Sequence, residues 1–346
     1  MGDDGLALEL WLDRREAALT PELRAHDRAV LAAVLAERPP PPPPPLLLDP
    51  AWARLPARAA RTGDARLARR AATLARWSLA ARVATDPAVR AAARGDRDLD
   101  GLGRRHAALA VVAGRLGLAD AGALIAALYG AAPVEPGAPV DPDPRVAGER
   151  VEPGPLAPSA PVPTPRAVLA TLASITAIDP APIALHHAAR ALTIVVAPGE
   201  EVHCLIGAGD DPPAALTVAV HELGHGLLAS ARRGLPPSLA APVSRVVDEA
   251  AAAWAVRALE DPAVIADAGL RATLARRRAR REHLTRALAR FEAACLAGVA
   301  PAIAWAAVAA IDPRPPSTHA ALFDEPGVMA AYVAADRAAP ACPPRA

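Results

Sequence analysis

Two clusters of proline divide this chain of 346 residues and decide where its helices can lie. One is an uninterrupted run of seven prolines at 39–45, and the other is the stretch 131–165, which is rich in proline and glycine. Proline lacks the backbone N–H and clashes with the preceding helical turn, so neither cluster can form the interior of a helix. We therefore predict an N-terminal helical region over 1–130 with an extended spacer at 39–45, a linker over 131–165, and a third region over 166–346.

Apolar residues recur at helical spacing through most of the remaining sequence. This pattern predicts helices over 6–37 and 64–130, and again in five segments from 214 onward, the last of which is 317–338. Thr20-Pro21 falls inside the first segment and predicts a break there, so that 6–37 would fold as a helical hairpin. Four arginines of the second segment are predicted to face solvent: Arg66, Arg69, Arg70 and Arg76.

Two short runs in the third region change from the helical to the strand pattern. Residues 191–196 and 202–206 are rich in β-branched side chains, and the intervening 197–201 has the composition of a turn. We predict a small antiparallel β hairpin that precedes a helix over 214–233. The predicted fold is thus mainly α, with this hairpin as its β structure.

The sequence also predicts where the histidines and the cysteine in and near the hairpin lie. His186 and His187 are adjacent, so on a helix they would point about 100° apart and occupy surface or cleft-lining positions. His203 lies in the second strand, whose edge could pair with a peptide backbone. Cys204 then points to the opposite face as a small core residue.

The charge balance and the missing residue types exclude several kinds of function. All 38 basic residues are Arg and 37 residues are acidic, so the net charge of +1 does not favour a nucleic-acid surface. A chain without Lys or Asn has no phosphate-loop lysine, no Schiff base and no Asn-linked glycan. The three cysteines are scattered, and the sequence shows neither an export signal nor a membrane-spanning segment. We therefore expect a cytoplasmic protein that binds neither nucleic acid nor membrane.

The segment His221-Glu222-Leu223-Gly224-His225 carries the clearest chemical signal in the chain. On a helix, the two histidines lie one turn apart on the same face, so both imidazoles can bind one Zn²⁺ ion. Glu222 is then placed beside the metal, where a carboxylate can act on a water molecule as a general base. The segment therefore predicts a zinc-dependent hydrolase.

A catalytic zinc site needs a third protein ligand and an open position. A third histidine six residues after His225 is excluded, because Ala231 stands there. The nearest downstream carboxylates are Asp248 and Glu249, on a segment that is itself predicted to be helical. We favour Glu249, because its longer side chain reaches across a helix pair, and we expect Asp248 to lie behind the ligands or at the surface.

These residues resemble the thimet-oligopeptidase-like zinc peptidases, a group that includes the oligoendopeptidases. The matching features are the motif at 221–225 with Gly224 as its fourth residue, a Glu placed 24 residues after His225, and a small sheet before the motif. A weaker similarity covers 102–128. The resemblance implies a catalytic region over 166–346 that cleaves short peptides, with zinc held by His221, His225 and Glu249.

The same resemblance implies two further catalytic residues near the C-terminus. Enzymes of this family stabilise the tetrahedral intermediate with a His and a Tyr, and His319 and Tyr332 stand in a similar relation here. Such donors are aimed at the developing oxyanion. The glycine- and tyrosine-rich stretch that the family has between them is absent from this chain.

Two alternatives stay open from the sequence. One is a short protease with the same motif that cleaves a single regulator protein, since Glu249-Ala250-Ala251-Ala252 is similar to the Glu-x-x-Ala pattern of that class. The other is a non-catalytic helical binding or scaffold protein that keeps zinc for stability. The substrates cleaved and the effect of chelation on stability distinguish these alternatives from a general peptidase.

Overall fold

The computed structural model describes residues 3–131, 161–207, 209–242 and 244–339. The described residues are mainly helical and include a small three-stranded mixed sheet, which confirms the predicted fold class in its coarse form. The predicted linker at 131–165 lies outside the described residues except at 131 and 161–165. Within the described residues, no helix is both long enough and apolar enough to cross a membrane.

The helices and strands are numbered here in chain order. The first helices are α1 (Asp3–Leu35), α2 (Leu55–Ala60), α3 (Ala65–Thr85), α4 (Pro87–Ala93), α5 (Leu99–Arg115), α6 (Ala121–Tyr129) and α7 (Pro165–Thr176). The strands are β1 (Ile183–Ala188), β2 (Leu192–Ala197) and β3 (Glu201–Gly207). The remaining helices are α8 (Pro212–Ser230), α9 (Pro237–Ala240), α10 (Arg245–Ala258), α11 (Ala268–Leu296), α12 (Pro301–Ala309), α13 (Ala320–Asp324) and α14 (Met329–Ala338).

The chain divides into two compact units, each built from two separate stretches of sequence. Unit 1 comprises the described parts of Met1–Thr85 and Pro163–Val243, and unit 2 comprises those of Asp86–Val162 and Ser244–Ala346. The predicted regions 1–130 and 166–346 follow the order of the sequence, whereas each of these units combines residues from both regions.

In unit 1, the predicted break at Pro21 is wrong, because α1 continues through it as one helix of 33 residues. An interior proline removes one helical hydrogen bond and costs about 3 kcal/mol. Packing on both sides of Pro21 offsets this cost: Leu12 and Leu19 are fully buried before it, and Leu31 packs against the sheet after it. The proline run begins after α1, and Pro44 has φ −55° and ψ 135°, the extended conformation predicted for the spacer.

Arg70 also differs from the prediction. Its guanidinium is buried in unit 1, where Nη2 lies 2.8 Å from Glu16 Oε2 and 2.7 Å from Asp13 Oδ1. Glu16 in turn accepts hydrogen bonds from the backbone N–H and the hydroxyl of Ser238, at 2.6 and 2.7 Å. Because a buried charge needs such partners, Arg70 belongs to an internal network that joins α1, α3 and α9, rather than to a solvated face.

The sheet of unit 1 has the strand order β1-β3-β2. β2 and β3 are antiparallel and confirm the predicted hairpin, while β1 pairs in parallel with the other edge of β3. β1 was not predicted, and His186 and His187 lie in this strand rather than on a helix. β3 is the central strand, so the prediction that the edge of the His203 strand could bind a peptide is wrong: both edges of β3 are already paired.

The two faces of the sheet contact different helices of unit 1. Ile194, Val196 and Leu205 pack against Val30, Leu31 and Val34 of α1. On the opposite face, Cys204 and Ile183 lie against Gly226 of α8. Cys204 is fully buried, as predicted for a small core residue. The sheet therefore supports α8, the helix that carries the histidine motif.

Unit 2 is built from α4–α6 and α10–α14. Its core joins Leu102 of α5, Phe291 of α11, Trp305 of α12 and Phe323 of α13. The predicted single helix over 317–338 is wrong, because the chain turns between α13 and α14 at Gly327, whose φ is +90°. The buried Glu292 carboxyl group stabilises this turn because its two oxygens accept hydrogen bonds from the backbone N–H groups of Gly327 and Met329, at 2.6 and 3.1 Å.

Candidate metal centre

Helix α8 positions the two histidines of the motif. It begins at Pro212, a residue suited to the first helical turn, and the Asp211 carboxylate caps it by accepting the backbone N–H of Ala214 at 3.3 Å. Almost every residue from Leu216 to Ser230 is buried. A helix that is apolar on all sides belongs in an interior, so its few polar side chains lie among apolar neighbours.

His221 and His225 lie one turn apart on α8. Their ring centroids are 4.9 Å apart and the ring planes are nearly perpendicular, at 89°. The residues are only 9% and 8% exposed. This is the paired arrangement predicted from the motif.

Glu249 lies on α10, which begins after the N-cap residue Ser244. The residue is 1% exposed, and its Oε1 lies 3.0 Å from Nε of Arg245, one turn earlier on the same helix. A carboxylate buried to this extent requires positive or hydrogen-bonding neighbours to remain charged. Arg245 supplies such a charge from within unit 2.

One ligand atom from each of His221, His225 and Glu249 lies within 4.8 Å of the others. Among the residues that the structure describes, this is the group of His, Cys, Asp and Glu side chains that could hold a metal ion. Two imidazole nitrogens and one carboxylate oxygen form a donor set found in catalytic zinc sites, so the residues present fit a divalent ion of this kind.

Glu222 follows His221 on α8 and is 8% exposed. The hydroxyl of Thr193 on β2 lies 2.8 Å from Glu222 Oε2 and 2.9 Å from the backbone oxygen of the same residue. The Cys204 thiol donates to that backbone oxygen over 3.4 Å. Burial raises the pKa of Cys204 to about 12, so the thiol stays protonated at neutral pH.

Two residues next to this group were missed by the sequence analysis. Thr193 stands in a β-branched run, and strand alternation places it on the same face of β2 as Val195. Arg245 precedes Glu249 by four residues, the spacing of an i,i+4 ion pair on a helix. Strand alternation and helical spacing are the sequence signals for these two residues. Neither signal shows that the side chain lies beside the candidate metal ligands, because that depends on which elements pack together.

Arg245 contacts three carboxylates within unit 2. Besides Glu249, its guanidinium lies 3.2 Å from Asp248 Oδ2 and 3.5 Å from Glu325 Oε2. Burial opposes the charge of Arg245, but the negative charges of Glu249 and Glu325 outweigh it and raise the pKa of the guanidinium. Asp248 is thus an ion-pair partner of Arg245.

His319 and Tyr332, the residues predicted to assist catalysis, have different surroundings in unit 2. The His319 ring lies 5.7 Å from that of Trp305, its Nε2 is 3.7 Å from Asp312 Oδ2, and burial lowers its pKa. Burial also raises the pKa of Tyr332, and the negative charge of Glu249 adds to this shift. The predicted catalytic roles of both residues stay predictions.

Two of the three histidines of the sheet, His186 and His203, form a separate cluster on the face that contacts α1. His186 Nε2 and His203 Nδ1 are 2.8 Å apart, and His203 Nε2 lies 3.3 Å from Glu201 Oε1. Arg28 of α1 lies 2.6 Å from the other carboxylate oxygen of Glu201. His187 points away and is exposed. These contacts tie α1 to the sheet.

Comparison of the chain with protein-family models, with curated proteins and with solved structures gave no match.

Proposed function

We propose that this chain is a zinc-dependent peptidase that hydrolyses short oligopeptides, with zinc held by His221, His225 and Glu249 and with Glu222 as general base. The observation that supports the proposal is the group of three ligands, which have one ligand atom each within 4.8 Å of one another. The buried carboxylate of Glu222 directly follows the ligand His221 in the sequence. The motif is the basis of the proposed membership of the thimet-oligopeptidase-like family.

Zn²⁺, when bound, supplies a Lewis acid for the scissile carbonyl and lowers the pKa of a water molecule. The protein supplies the proton transfer. Glu222 accepts a proton from the attacking water at one carboxylate oxygen and later donates it to the leaving amine. The low exposure of Glu222 limits competition from bulk water for that oxygen.

Tyr332 is proposed to donate a hydrogen bond to the oxyanion that develops on the scissile carbonyl. Because burial and the Glu249 charge raise the pKa of its phenol, Tyr332 remains protonated over the whole neutral range and keeps its O–H as a donor. His319 is proposed as the second donor. A donor of this type contributes about 10²–10³-fold to kcat.

Metal analysis and peptide hydrolysis together test the proposed function. We expect one equivalent of zinc in the purified wild type and cleavage of a library of unstructured peptides. Glu222→Gln is expected to keep the zinc and to lose at least about 100-fold in kcat, because it removes the general base. Glu200→Gln, which changes an exposed carboxylate of the β2–β3 turn in the same way, is the matched control and is expected to behave as wild type.

Three outcomes would contradict the proposal. A wild type without zinc would remove the metal site. Zinc without turnover of any peptide, combined with a lower melting temperature after chelation, would indicate a structural zinc site in a non-catalytic protein. Cleavage of one protein target but of no library peptide would indicate a protease specific for a regulator.

A further inference from the structure

Thr193 connects strand β2 to the carboxylate of Glu222. β2 is an edge strand that pairs with β3 on one side, and its Thr193 side chain points toward α8. The hydroxyl oxygen lies 2.8 Å from Glu222 Oε2 and 2.9 Å from the Glu222 backbone oxygen. One hydroxyl therefore touches both the side chain and the backbone of the same residue.

The hydroxyl of Thr193 has a single proton, and the neighbouring thiol decides where it goes. Cys204 is fully buried, and its Sγ lies 3.4 Å from the Glu222 backbone oxygen, so the thiol can serve this oxygen. A carboxylate is a stronger acceptor than a carbonyl, because its hydrogen bonds are charge-assisted. The Thr193 hydroxyl also lies 3.7 Å from Cys204 Sγ, but sulfur is a weak acceptor. The Thr193 proton is thus directed to Glu222 Oε2.

This bond restricts a side chain that would otherwise rotate. Glu has three rotatable side-chain bonds, and a carboxylate that must exchange a proton with water needs one oxygen in a fixed place. With Oε2 held by Thr193, Oε1 is the oxygen that remains for proton exchange. The donor stands on a strand of the sheet that supports α8, so its position is set by backbone pairing rather than by a loop.

We propose that Thr193 is the positioning residue of the general base: its hydroxyl holds Glu222 Oε2 and so aims Oε1 at the attacking water. This inference rests on the proposed function for its catalytic meaning, but the contact itself can be tested without any turnover.

The kinetic test compares two substitutions at position 193. Thr193→Val keeps the shape and removes the hydroxyl, and Thr193→Ser keeps the hydroxyl. For Thr193→Val we expect kcat to fall about 10–100-fold, because a misplaced general base loses part of the 10²–10⁴-fold that it contributes. We expect KM and the zinc dissociation constant to stay within about twofold of wild type. Thr193→Ser is expected to restore kcat to within about threefold of wild type.

Thr217→Val is the matched control for this test. Thr217 is a buried threonine on the same helix as Glu222, and its hydroxyl bonds the backbone oxygen of Pro213 at 2.9 Å. The control makes the same chemical change without touching Glu222, so we expect unchanged kcat. A Thr193→Val protein with the kcat of wild type, or a Thr193→Ser protein as impaired as Thr193→Val, would overturn the proposal.

A double-mutant cycle on the metal-free protein tests the contact separately from catalysis. We expect Thr193→Val to lower the melting temperature by about 3–6 °C in the wild-type background, because a hydrogen bond to a charged group is lost, and by less than half of that in a Glu222→Ala background. Additive shifts would overturn the contact. Non-additive shifts in a protein that cleaves no peptide would instead show that the proposed function fails while the contact stands.

Discussion

Gly226 of α8 faces Cys204 and Ile183 of the sheet, and its substitution by Ala tests that packing. A Cβ atom at this position would lie 2.8 Å from Cys204 Sγ, and 3.4 and 3.6 Å from two carbon atoms of Ile183. Ordinary van der Waals contacts of a Cβ atom begin at 3.4 Å, so the distances to Ile183 are acceptable. The distance to the Cys204 sulfur is 0.6 Å shorter than this limit. The thiol cannot rotate away freely, because it is fully buried and bonded to the Glu222 backbone oxygen.

The free energy of unfolding then depends on two opposing effects. Replacing a helical Gly by Ala stabilises a helix by about 1 kcal/mol, and overpacking a tight interior costs about 1–3 kcal/mol. We expect Gly226→Ala to lower the free energy of unfolding by about 0–2 kcal/mol, and to weaken metal binding because α8 must shift next to His225. Gly103→Ala is the control: its Cβ would meet only Pro301, at 3.4 Å or more, so only the helical gain should appear.

The assay is urea unfolding, with the double variant Cys204→Ala/Gly226→Ala as the decisive measurement. Removing Sγ leaves a space that the new methyl group fills, so the double variant should be more stable than the sum of the single effects by about 1–3 kcal/mol. If the effects of the two substitutions add to within about 0.5 kcal/mol, α8 and the sheet do not meet at this contact and the reasoning is refuted.

Three other predictions concern pH, metal binding and the long first helix. Burial raises the pKa of Glu292 to about 8 from the ordinary 4.5, so the unfolded chain ionises at lower pH than the folded one. This residue should therefore lower the free energy of unfolding by about 1.4 kcal/mol per pH unit between 4.5 and 8. In urea titrations at several pH values, Glu292→Gln should change the slope of stability against pH by that amount relative to wild type. Glu249→Ala should weaken zinc binding at least about 100-fold in chelator competition, whereas Asp248→Ala should change it by less than about tenfold; equal effects would reassign the ligand. Pro21→Ala, at an exposed position inside α1, should raise the free energy of unfolding by about 1–2 kcal/mol. A lower free energy of unfolding would contradict this prediction and show that Pro21 stabilises the conformation of α1.

The local features of this protein could be predicted from the sequence because each depends on neighbouring residues. The spacing of His221 and His225 places both imidazoles on one face of any helix. The β2–β3 hairpin follows from two β-branched runs joined by a short turn. The choice of Glu249 over Asp248 depended on side-chain length and on the resemblance to the peptidase family. One ligand atom from each of Glu249, His221 and His225 lies within 4.8 Å of the others. Asp248 and Glu249 both pair with Arg245.

The errors all concern residues whose surroundings come from distant parts of the chain. β1 contains two histidines and two alanines among its six residues, so its sequence carries little strand signal, and it forms because β3 offers a free edge. The sequence around Arg70 predicts a solvent-exposed charge. The fold instead buries Arg70, because α1 places Asp13 and Glu16 next to its guanidinium. Pro21 has the sequence signal of a break, but α1 continues through it because Leu12 and Leu19 are buried before it and the partly buried Leu31 packs against the sheet after it.

The sequence by itself determined the helical character of the chain, the histidine pair and the carboxylate next to it, because helix geometry fixes which residues share a face whatever surrounds the helix. Only the tertiary structure decided that Thr193 meets Glu222 and that Glu249 joins the histidines. These contacts link separate elements, and their formation depends on how the whole chain packs its apolar surface rather than on any local pattern.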